Sequence, residues 1–347
     1  MRIWIDVMTP KQARVFSQVY RVAKSRGHEV LLTTRLHGET TQILSMEGVP
    51  HISVGRHGGR ELLSKLKAYA HRALDLVDLV TEFEPHVLMS LSSPEAVRVA
   101  FGLGVRVISL NDTPHSVHVG RLTLPLTDRL VYPAAVPAYR WLSLGARAET
   151  LRPYYGVDEV SWVLPALERL RRRRREGGLA VVRPEESHAA YLTGAAGQAS
   201  VVEPCLGFLL DRGYRVVLLP RYDDQSEYFR RRYGDRVVIP DRAVDPVPLY
   251  STADVVISGG GTMSREAAMF GTPAISLFPL EDPLYVDEFL ASLGLPLFRS
   301  RDPRDALTLL GRIVHDPDEF RVDPRPVLSL LESPVEVLLR EAERLAG

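Results

Sequence analysis

The sequence predicts an α/β protein made of two doubly wound halves, and three observations lead to this prediction. With 347 residues and 45% hydrophobic content, the chain exceeds the usual size of one domain and can bury a large core. Short runs rich in β-branched residues alternate with helical patterns throughout. Several of these runs, such as VVLL, are apolar without interruption, as expected for parallel strands that helices cover on both faces.

The strand patterns come at intervals that leave room for a helix between successive strands. In the first half the predicted strands are Ile3–Val7, Glu29–Thr33, His51–Val54, Val87–Leu91, Val105–Leu110 and Arg129–Tyr132. In the second half they are Leu179–Arg183, Arg215–Leu219, Arg236–Ile239, Asp254–Ser258 and Ala274–Phe278. Residues 152–157 (RPYYGV) predict a crossover, so we expect domains at residues 1–152 and 153–347. A last helical pattern, Val335–Leu345, is a candidate to pack back on the first half.

The two halves repeat one pattern. Residues 86–110 and 254–277 both run from a strand through a serine, a loop and a helix to Phe-Gly and a second strand. The loop of the first half, Ser92–Glu95, has no glycine, whereas the loop of the second half contains Gly259, Gly260 and Gly261. If only one half binds phosphate, we therefore expect it to be the second.

The composition of the chain bears on its partners and on the compartment in which it is found. The 43 basic and 43 acidic residues balance, which disfavours a nucleic-acid partner. Cys205 is the single cysteine, so intramolecular disulfides and cysteine-based zinc sites are excluded and no metal site is expected. The N-terminal residues read as an opening strand rather than a signal peptide, and no apolar run reaches the ~18 residues of a spanning helix. We expect a cytoplasmic protein, and a peripheral membrane contact stays open.

The most informative stretch is residues 253–278, ADVVISGGGTMSREAAMFGTPAISLF. Three glycines let the backbone approach a ligand closely and adopt positive φ. The helix that starts near Thr262 offers unpaired N–H groups and a positive dipole end, which suit phosphate. Glu266 lies one turn further, and a sugar hydroxyl is a better partner for it than phosphate. The alternatives are a tight turn for the loop and, for Glu266, a favourable interaction with the helix dipole alone.

This stretch resembles the donor-binding segment of GT-B glycosyltransferases and of UDP-N-acetylglucosamine 2-epimerase. Over nearly its full length, the chain is most similar to a mostly archaeal family of GT-B-like proteins catalogued as a domain of unknown function. The matching stretches are IDVMTPKQARVF, LSSPEA, NDTPHS, VVRPEESHAAYL, GGGTMSREAAMFGTP and EDPLYVDEF. The resemblance implies two Rossmann-like domains that face each other across a cleft. It also implies a UDP-linked nucleotide-sugar as substrate and no separate cofactor.

The resemblance further implies a set of contacts in the second half. Gly259–Thr262 would hold the pyrophosphate, Glu266 the ribose and residues 240–245 the base. Glu281 and Asp282 would contact the donor sugar, although classical transferases often carry glutamine there.

Arg183, at the end of the first strand of this half, is a candidate for a bidentate phosphate contact. The alternative is an ion pair with Glu185 or Glu186.

Catalytic groups are expected at the carboxyl ends of first-half strands. Asp6 lies near the end of the first strand, and Asp112 and His115 belong to the NDTPH turn after Val105–Leu110. An inverting transfer needs a base for the acceptor hydroxyl, and Asp112 or His115 can serve. The alternatives are an Asx turn before Pro114 for Asp112 and a structural, hydrogen-bonded role for His115.

Three functions follow from these patterns. The leading hypothesis is a metal-independent glycosyltransferase that moves a sugar from a nucleoside diphosphate to an unknown acceptor, either a glycan or a lipid-linked molecule. The second is a nucleotide-sugar epimerase or hydrolase on the same fold. The third is a non-catalytic nucleotide-binding subunit.

Overall fold

The computed structural model describes residues 1–36, 38–59, 61–170, 177–185, 200–242, 244–278 and 282–346. The chain divides into two compact units. The first comprises Met1–Trp162 and Leu331–Gly347, and the second comprises Val163–Leu330. The sequence prediction puts the boundary after residue 152, and the compact units divide after Trp162.

The first unit contains a seven-stranded sheet in the order β3-β2-β1-β4-β5-β6-β7, and every strand pair in it is parallel. Its strands are β1 Arg2–Val7, β2 Glu29–Leu36, β3 Ile52–Arg56, β4 Val87–Ser90, β5 Arg106–Leu110, β6 Arg129–Pro133 and β7 Leu151–Tyr154. Its helices are α1 Pro10–Ser25, α2 Gly38–Met46, α3 Leu62–Phe83, α4 Pro94–Gly102, α5 Val117–Thr123, α6 Ala138–Leu142 and, at the C-terminus, α15 Pro334–Ala346. Helix α7, Val160–Arg169, begins in this unit and ends in the second.

The second unit contains a six-stranded parallel sheet in the order β10-β9-β8-β11-β12-β13. Its strands are β8 Leu179–Arg183, β9 Arg215–Leu218, β10 Val237–Val238, β11 Val255–Ser258, β12 Ala274–Ser276 and β13 Leu297–Arg299. Its helices are α8 Glu203–Leu210, α9 Asp223–Tyr233, α10 Val247–Tyr250, α11 Gly261–Met269, α12 Tyr285–Ser292, α13 Pro303–His315 and α14 Arg325–Leu328. Buried aliphatic residues of β8, β9 and β11 pack against α8 and α13 to form its core.

Both units are Rossmann-like, as the alternation of strands and helices predicts. All eleven predicted strands are present, and two short strands, β7 and β13, extend the sheets. The prediction of a crossover at residues 152–157 is wrong for its first half, because Leu151–Tyr154 forms the edge strand β7, paired with β6. Pro153 argues against a strand at this position in the sequence. An edge strand tolerates proline because the backbone on its outer side forms no hydrogen bonds to another strand.

The topology of each sheet creates one switch point, where strand order reverses and ligands commonly bind. In the first unit the switch point lies between β1 and β4, and the last paired residues there are Asp6 and Ser90. In the second unit it lies between β8 and β11, and the last paired residues are Arg183 and Ser258. The predicted site residues Asp6 and Arg183 therefore hold equivalent positions in the two sheets.

Helix α15 completes the first unit, where it packs against α1 and against β4, β5 and β6. Its buried Glu341 forms ion pairs with Arg129 at 3.3 Å and with Arg152 at 3.0 Å. Within the described part of the chain, no helix combines the length and the apolar character required to cross a bilayer.

Candidate functional site

The glycine loop is a two-residue connection between β11 and α11. The N–H of Gly259 donates to the carbonyl oxygen of Arg183 at 2.9 Å, which extends the pairing of β8 and β11 by one residue. The N–H of Gly260 donates to Ser258 Oγ at 3.0 Å. Both glycines are buried. Both loop amides are therefore engaged within the unit and are not part of a ligand cradle.

The glycines are required by the protein's own packing. A Cβ on Gly259 would lie 2.6 Å from the backbone nitrogen of Glu185, and one on Gly261 would lie 2.5 Å from a guanidinium nitrogen of Arg265. The expectation of positive φ is wrong, because none of the three glycines has it and Gly260 is extended, with φ −141° and ψ 166°. The absent side chains make room for a crossing backbone and for guanidinium groups.

The first turn of α11 has the features of an anion site. Gly260 is the N-cap residue, so no side chain caps the helix, and the first turn contains no acidic residue. Gly261 and Thr262, the first two helical residues, are partly exposed. Because no side chain caps the first-turn N–H groups and no acid belongs to the first turn, this end of α11 favours an anion. The nearest carboxylate is Asp287, whose Oδ1 lies 3.4 Å from the position of a Cβ on Gly261 and pairs with Arg265.

Three arginines belong to or follow the elements that meet near this helix end. Arg183 ends β8, is buried, and donates to the carbonyl oxygen of Leu219 at 3.4 Å. Arg221 follows β9, and its Nη2 lies 3.0 Å from the position of a Cβ on Gly260. Arg265 is on α11 itself, where its Nη1 donates to Asp287 Oδ1 at 2.9 Å.

The alternative partners of Arg183 are Glu185 and Glu186. The Glu185 carboxylate accepts a hydrogen bond from Ser200 Oγ at 2.7 Å, and Glu186 lies outside the described residues.

Glu266 is a buried carboxylate in the middle of α11. Its Oε2 accepts a hydrogen bond at 2.7 Å from the hydroxyl of Tyr250, which is itself fully buried at the end of α10. Thr272 Oγ1 in turn donates to the Tyr250 carbonyl oxygen at 2.6 Å. These bonds fix the orientation of the Glu266 carboxylate, since a charged acceptor holds its donor strongly.

The other residues expected near the donor are less defined. Glu281 lies outside the described residues, and Asp282 is exposed between β12 and α12. In the loop 240–245, Asp241 is exposed and pairs with Arg230 at 2.7 Å, while residue 243 lies outside the described residues.

Asp6, at the switch point of the first unit, is fully buried in an ion pair. Arg72 donates to its Oδ1 at 2.6 Å and to its Oδ2 at 3.2 Å. Thr33 Oγ1 donates to Oδ1, and Ser93 Oγ donates to Oδ2, both at 2.6 Å. The carboxylate thus receives two hydrogen bonds on each oxygen from inside the unit, and its surface is closed to solvent.

Asp112 belongs to a cluster of three carboxylates around Lys11. Lys11 Nζ forms an ion pair with Asp112 Oδ2, lies 2.7 Å from Asp158 Oδ2 and lies 3.9 Å from Glu159 Oε1. Asp158 and Glu159 are fully buried, and Asp112 is nearly so. Three acids lie around one lysine, and carboxylates buried close together favour the retention of a proton.

The proton is retained most readily at Asp158. Burial raises the pKa of its carboxyl to about 6, the neighbouring Asp112 and Glu159 raise it as well, and Lys11 opposes the shift. The hydroxyl of Tyr154 donates to Asp158 Oδ1 at 2.6 Å. Burial next to these acids also raises the pKa of Tyr154 well above its usual value.

The Asx turn beside Asp112 is formed by Asn111 and not by Asp112. Asn111 Oδ1 accepts the N–H of Thr113 at 2.8 Å, and Asn111 Nδ2 donates to Ser92 Oγ at 2.9 Å. Asp112 is therefore not needed for the turn, and its Oδ1 instead accepts from Thr113 Oγ1 at 2.7 Å. His115, on the same turn, is partly exposed.

Sequence patterns missed several residues that the structure brings to these sites. They are Lys11, Arg72, Asp158, Glu159, Arg221, Tyr250 and Arg265. Lys11 is the one that the sequence could most easily have indicated, because it lies inside the family-like stretch IDVMTPKQARVF and is one of only four lysines. The arginines were hidden by their abundance. Among the described residues, no group of three or more His, Cys, Asp and Glu side chains has the arrangement of a metal site.

The family of the chain follows from a match that covers residues 1–339. This match is to the family described as "Protein of unknown function (DUF354)", and the chain belongs to that family. A relative in Methanocaldococcus jannaschii, the uncharacterized protein MJ0665, is 28% identical over 303 residues, which cover 83% of this chain and 84% of the relative.

Solved structures of several enzymes share the fold. UDP-GlcNAc 2-epimerase from Neisseria meningitidis, bound to UDP-GlcNAc, superposes with a TM-score of 0.74 at 13% identity, covering 99% of this chain and 100% of that chain. HepE of Anabaena, in complex with UDP and glucose, gives 0.63 at 14% identity with full coverage of both chains. The spinosyn forosaminyltransferase SpnP gives 0.61 at 16% identity, again with full coverage. These likenesses confirm the predicted GT-B-like fold of two Rossmann-like domains.

Proposed function

We propose that this member of the DUF354 family binds a nucleoside-diphosphate sugar on its second unit and transfers the sugar to an acceptor hydroxyl. The observation that carries the proposal is the uncapped N-terminus of α11 beside three arginines, Arg183, Arg221 and Arg265. The three similar proteins named above support it, because two were solved with UDP or a UDP-sugar and the third is named as a glycosyltransferase.

A diphosphate matches the charge of this site. Guanidinium groups bind phosphate oxygens in pairs, and backbone N–H groups at a helix start add further donors without a counter-charge. Arg265 is held by Asp287, so its orientation is set before a ligand arrives. We assign the pyrophosphate to Gly261, Thr262 and the three arginines rather than to the amides of Gly259 and Gly260.

The ribose is assigned to Glu266. A carboxylate has about four acceptor positions on its two oxygens, so Glu266 can accept a sugar hydroxyl in addition to the bond from Tyr250. Because Tyr250 fixes the carboxylate, less rotational freedom is lost when the ribose binds. Residues 240–245 remain the proposed contact of the base, and Asp282 that of the donor sugar.

In the proposed reaction, the acceptor oxygen forms a bond to the anomeric carbon as the bond from that carbon to the diphosphate breaks. The acceptor proton moves to a base, and the arginines stabilise the charge that develops on the leaving diphosphate. We assign the base to His115, because it is partly exposed. Asp112 is nearly buried and bound by Lys11, and Asp6 is enclosed in its ion pair with Arg72.

The cluster around Lys11 favours a second candidate function, a nucleotide-sugar epimerase or hydrolase. Such chemistry needs groups that give and take protons near pH 7, and Asp158, with its pKa of about 6, is such a group. Three of the solved structures with this fold are UDP-GlcNAc 2-epimerases. The complete burial of Asp158 and Glu159 is the argument against direct contact with a sugar.

Binding is tested by isothermal titration of the purified chain with UDP, UDP-sugars and GDP-sugars. We expect Glu266→Ala to weaken the preferred nucleotide about tenfold or more, since a hydrogen bond to a charged group contributes about 1.5–3 kcal/mol. The matched control is Glu288→Ala, an exposed acid on α12 that should bind as the unchanged protein does. Equal affinity of the two variants would remove the ribose role of Glu266.

The reaction is tested in deuterated water by NMR with the nucleotide-sugar that binds. Transfer releases nucleoside diphosphate only when an acceptor is present and leaves the carbon-bound protons of the sugar unexchanged. Epimerisation through proton abstraction incorporates deuterium at the inverted carbon, and hydrolysis releases free sugar without an acceptor. Tight binding of the nucleotide-sugar with no turnover, with or without an acceptor, would favour the non-catalytic binding subunit.

A further inference from the structure

The start of α3 carries leucine side chains that the first unit leaves exposed. From Arg72 onward, α3 buries a regular face through Arg72, Leu76 and Val80. Residues Leu62–Lys67, which we name the α3 tip, have no such buried face. The leucines of this tip are largely exposed, Leu62 by 78%, Leu63 by 63% and Leu66 by 64%.

The exposed leucines of the α3 tip form one stripe. At about 100° per residue, Leu62, Leu66 and Leu63 fall within an arc of about 100° on the helix circumference. Lys65 lies about 60° beyond one border of the stripe, and Lys67 about 40° beyond the other. The chain contains only four lysines among 43 basic residues, so two flanking one apolar stripe is an unusual concentration.

The surface next to the α3 tip has the same character. Leu36, the last residue of β2, is 56% exposed and pairs in register with Arg56, the exposed last residue of β3. Helix α3 follows β3 directly, so its tip lies at the same carboxyl edge of the sheet. Glu61, just before the tip, is the nearest acid in the sequence.

We infer that the α3 tip inserts into the surface of a membrane that contains anionic lipids. The leucines enter the acyl boundary, while the lysines extend their ammonium groups to the lipid phosphates. A protein partner would need a preformed pocket for three side chains that protrude from a convex helix end, with acids on both sides of it. A bilayer surrounds a protruding apolar group without a matching shape, and its surface supplies the negative charge.

This inference does not depend on the proposed reaction. It identifies a surface on the first unit, whereas the proposed nucleotide site belongs to the second unit. If both hold, the acceptor is expected to be lipid-linked.

The first experiment measures sedimentation of the full-length chain with sucrose-loaded vesicles. We expect the chain to pellet with vesicles that contain phosphatidylcholine and about one-third phosphatidylglycerol, and much less with pure phosphatidylcholine, because each lysine near an anionic surface contributes about a fivefold gain. The combined variant Leu62→Ser, Leu63→Ser, Leu66→Ser should reduce the partition coefficient at least tenfold. Lys65→Gln with Lys67→Gln should reduce it about 25-fold and weaken its dependence on salt.

The matched control carries three serine substitutions at exposed leucines elsewhere in the chain. These are Leu103, Leu122 and Leu330. The control should pellet as the unchanged protein does, and neither set should alter the thermal unfolding midpoint, since all six side chains are exposed.

A fluorescent reporter tests insertion directly. The native tryptophans, Trp4, Trp141 and Trp162, are all buried, so Leu66→Trp adds an indole that reports on the α3 tip. We expect its emission to shift to shorter wavelength and to become protected from acrylamide when anionic vesicles are added. The same substitution at Leu330 should show neither change.

Two results would overturn the inference. The first is equal pelleting of the leucine variant and its control, or no pelleting of the unchanged protein with anionic vesicles. The second is a concentration-dependent dimer in sedimentation velocity that the leucine variant alone abolishes, which would assign the stripe to a second copy of the chain.

Discussion

The two switch points of this chain share a backbone plan and carry opposite charges. Asp6 pairs in register with Ser90 at the first, and Arg183 pairs with Ser258 at the second. In both, the serine hydroxyl accepts an N–H from the loop that follows, from Ser93 at 3.2 Å in the first and from Gly260 at 3.0 Å in the second.

The helices behind the two loops differ in the same way. The first turn of α4 contains the buried acid Glu95, whereas the first turn of α11 contains no acid and no capping side chain. Burial raises the pKa of Glu95, and Arg72 opposes that shift. The first switch point is thus filled by acids that face an internal arginine. At the second, the acid Asp287 pairs with Arg265, and we propose that Arg183 and Arg221 contribute to the binding of an external anion.

The comparison shows that the position of a switch point alone does not identify a ligand site. The charges of the side chains around the switch point must also be compared. Ser92, in the first loop, even adopts a left-handed conformation with φ 53°, which only a closely bonded loop tolerates in a non-glycine residue. Asn111 holds Ser92 in place.

The largest expected effect comes from breaking the internal pair of the first switch point. Asp6→Ala leaves the Arg72 guanidinium buried without its carboxylate, which should lower the free energy of unfolding by about 3–5 kcal/mol. Tryptophan fluorescence during urea unfolding measures this in the first unit alone, because Trp4, Trp141 and Trp162 all belong to it.

The control for that change is Arg183→Ala at the equivalent position of the second sheet. It should shift the tryptophan transition by less than about 1 kcal/mol. A similarly small shift for Asp6→Ala would mean that the two switch points do not differ in internal balance.

The next effect sharpens the comparison through pH, at the acids around Lys11. Because the folded pKa of Asp158, about 6, is above its usual 3.8, its contribution to stability is full below about pH 4 and is lost as pH rises through about 6. The difference in unfolding free energy between the unchanged chain and Asp158→Asn should therefore fall by about 3 kcal/mol from pH 4 to pH 7. Urea titrations at several pH values measure it.

The exposed acid Asp75 on α3 provides the reference for the pH experiment. Asp75→Asn makes the same change of residue at a solvent-exposed position and is measured over the same pH range. A flat difference for Asp158→Asn would show that Asp158 ionises freely inside the fold.

The third prediction concerns the second switch point. Arg183→Gln removes one charged donor from the proposed diphosphate contact and should weaken UDP binding about 10- to 100-fold. The control is Arg215→Gln, at the opposite, amino end of β9, which should leave affinity unchanged. Titration calorimetry compares the two, and equal affinities would contradict the assignment of Arg183.

The smallest effect comes from giving the second switch point a feature of the first. Thr262 is the second residue of α11, as Glu95 is of α4, so Thr262→Glu transfers the first-turn acid. We expect the unfolding free energy of the second unit to rise by about 0.3–1 kcal/mol through the helix dipole. Affinity for UDP should fall, because the new carboxylate occupies the anion position.

Thr262→Gln, which has nearly the same shape without the charge, separates the two causes. It should weaken UDP binding less than Thr262→Glu does. If the two variants bind UDP equally, the effect is one of shape and the helix end is not an anion site.

The sequence was sufficient for the fold because each strand is a local apolar run. Strands β7 and β13 escaped prediction, since Pro153 interrupts one and the other has only three residues. The positions of Arg183 at the end of β8 and of Glu266 on α11 were predictable because each lies next to a recognisable strand or glycine loop, and their roles stay predictions.

The rest of the candidate site depends on residues that are distant in the sequence. Lys11 meets Asp112 and Asp158 across more than a hundred positions, and nothing local in the sequence indicates that three acids share one lysine. The reason for the glycines also lies in tertiary contacts, since Glu185 and two guanidinium groups occupy the space that side chains would need.

The division of the chain after Trp162 and again after Leu330 has a consequence for biosynthesis. Residues 1–162 emerge from the ribosome first, whereas the helix that carries Glu341 emerges only after the whole second unit. Until then Arg129 and Arg152 lack the carboxylate that joins them in the finished protein. The second unit can therefore complete its fold before the first, which receives its last helix only when the C-terminal residues have been synthesised.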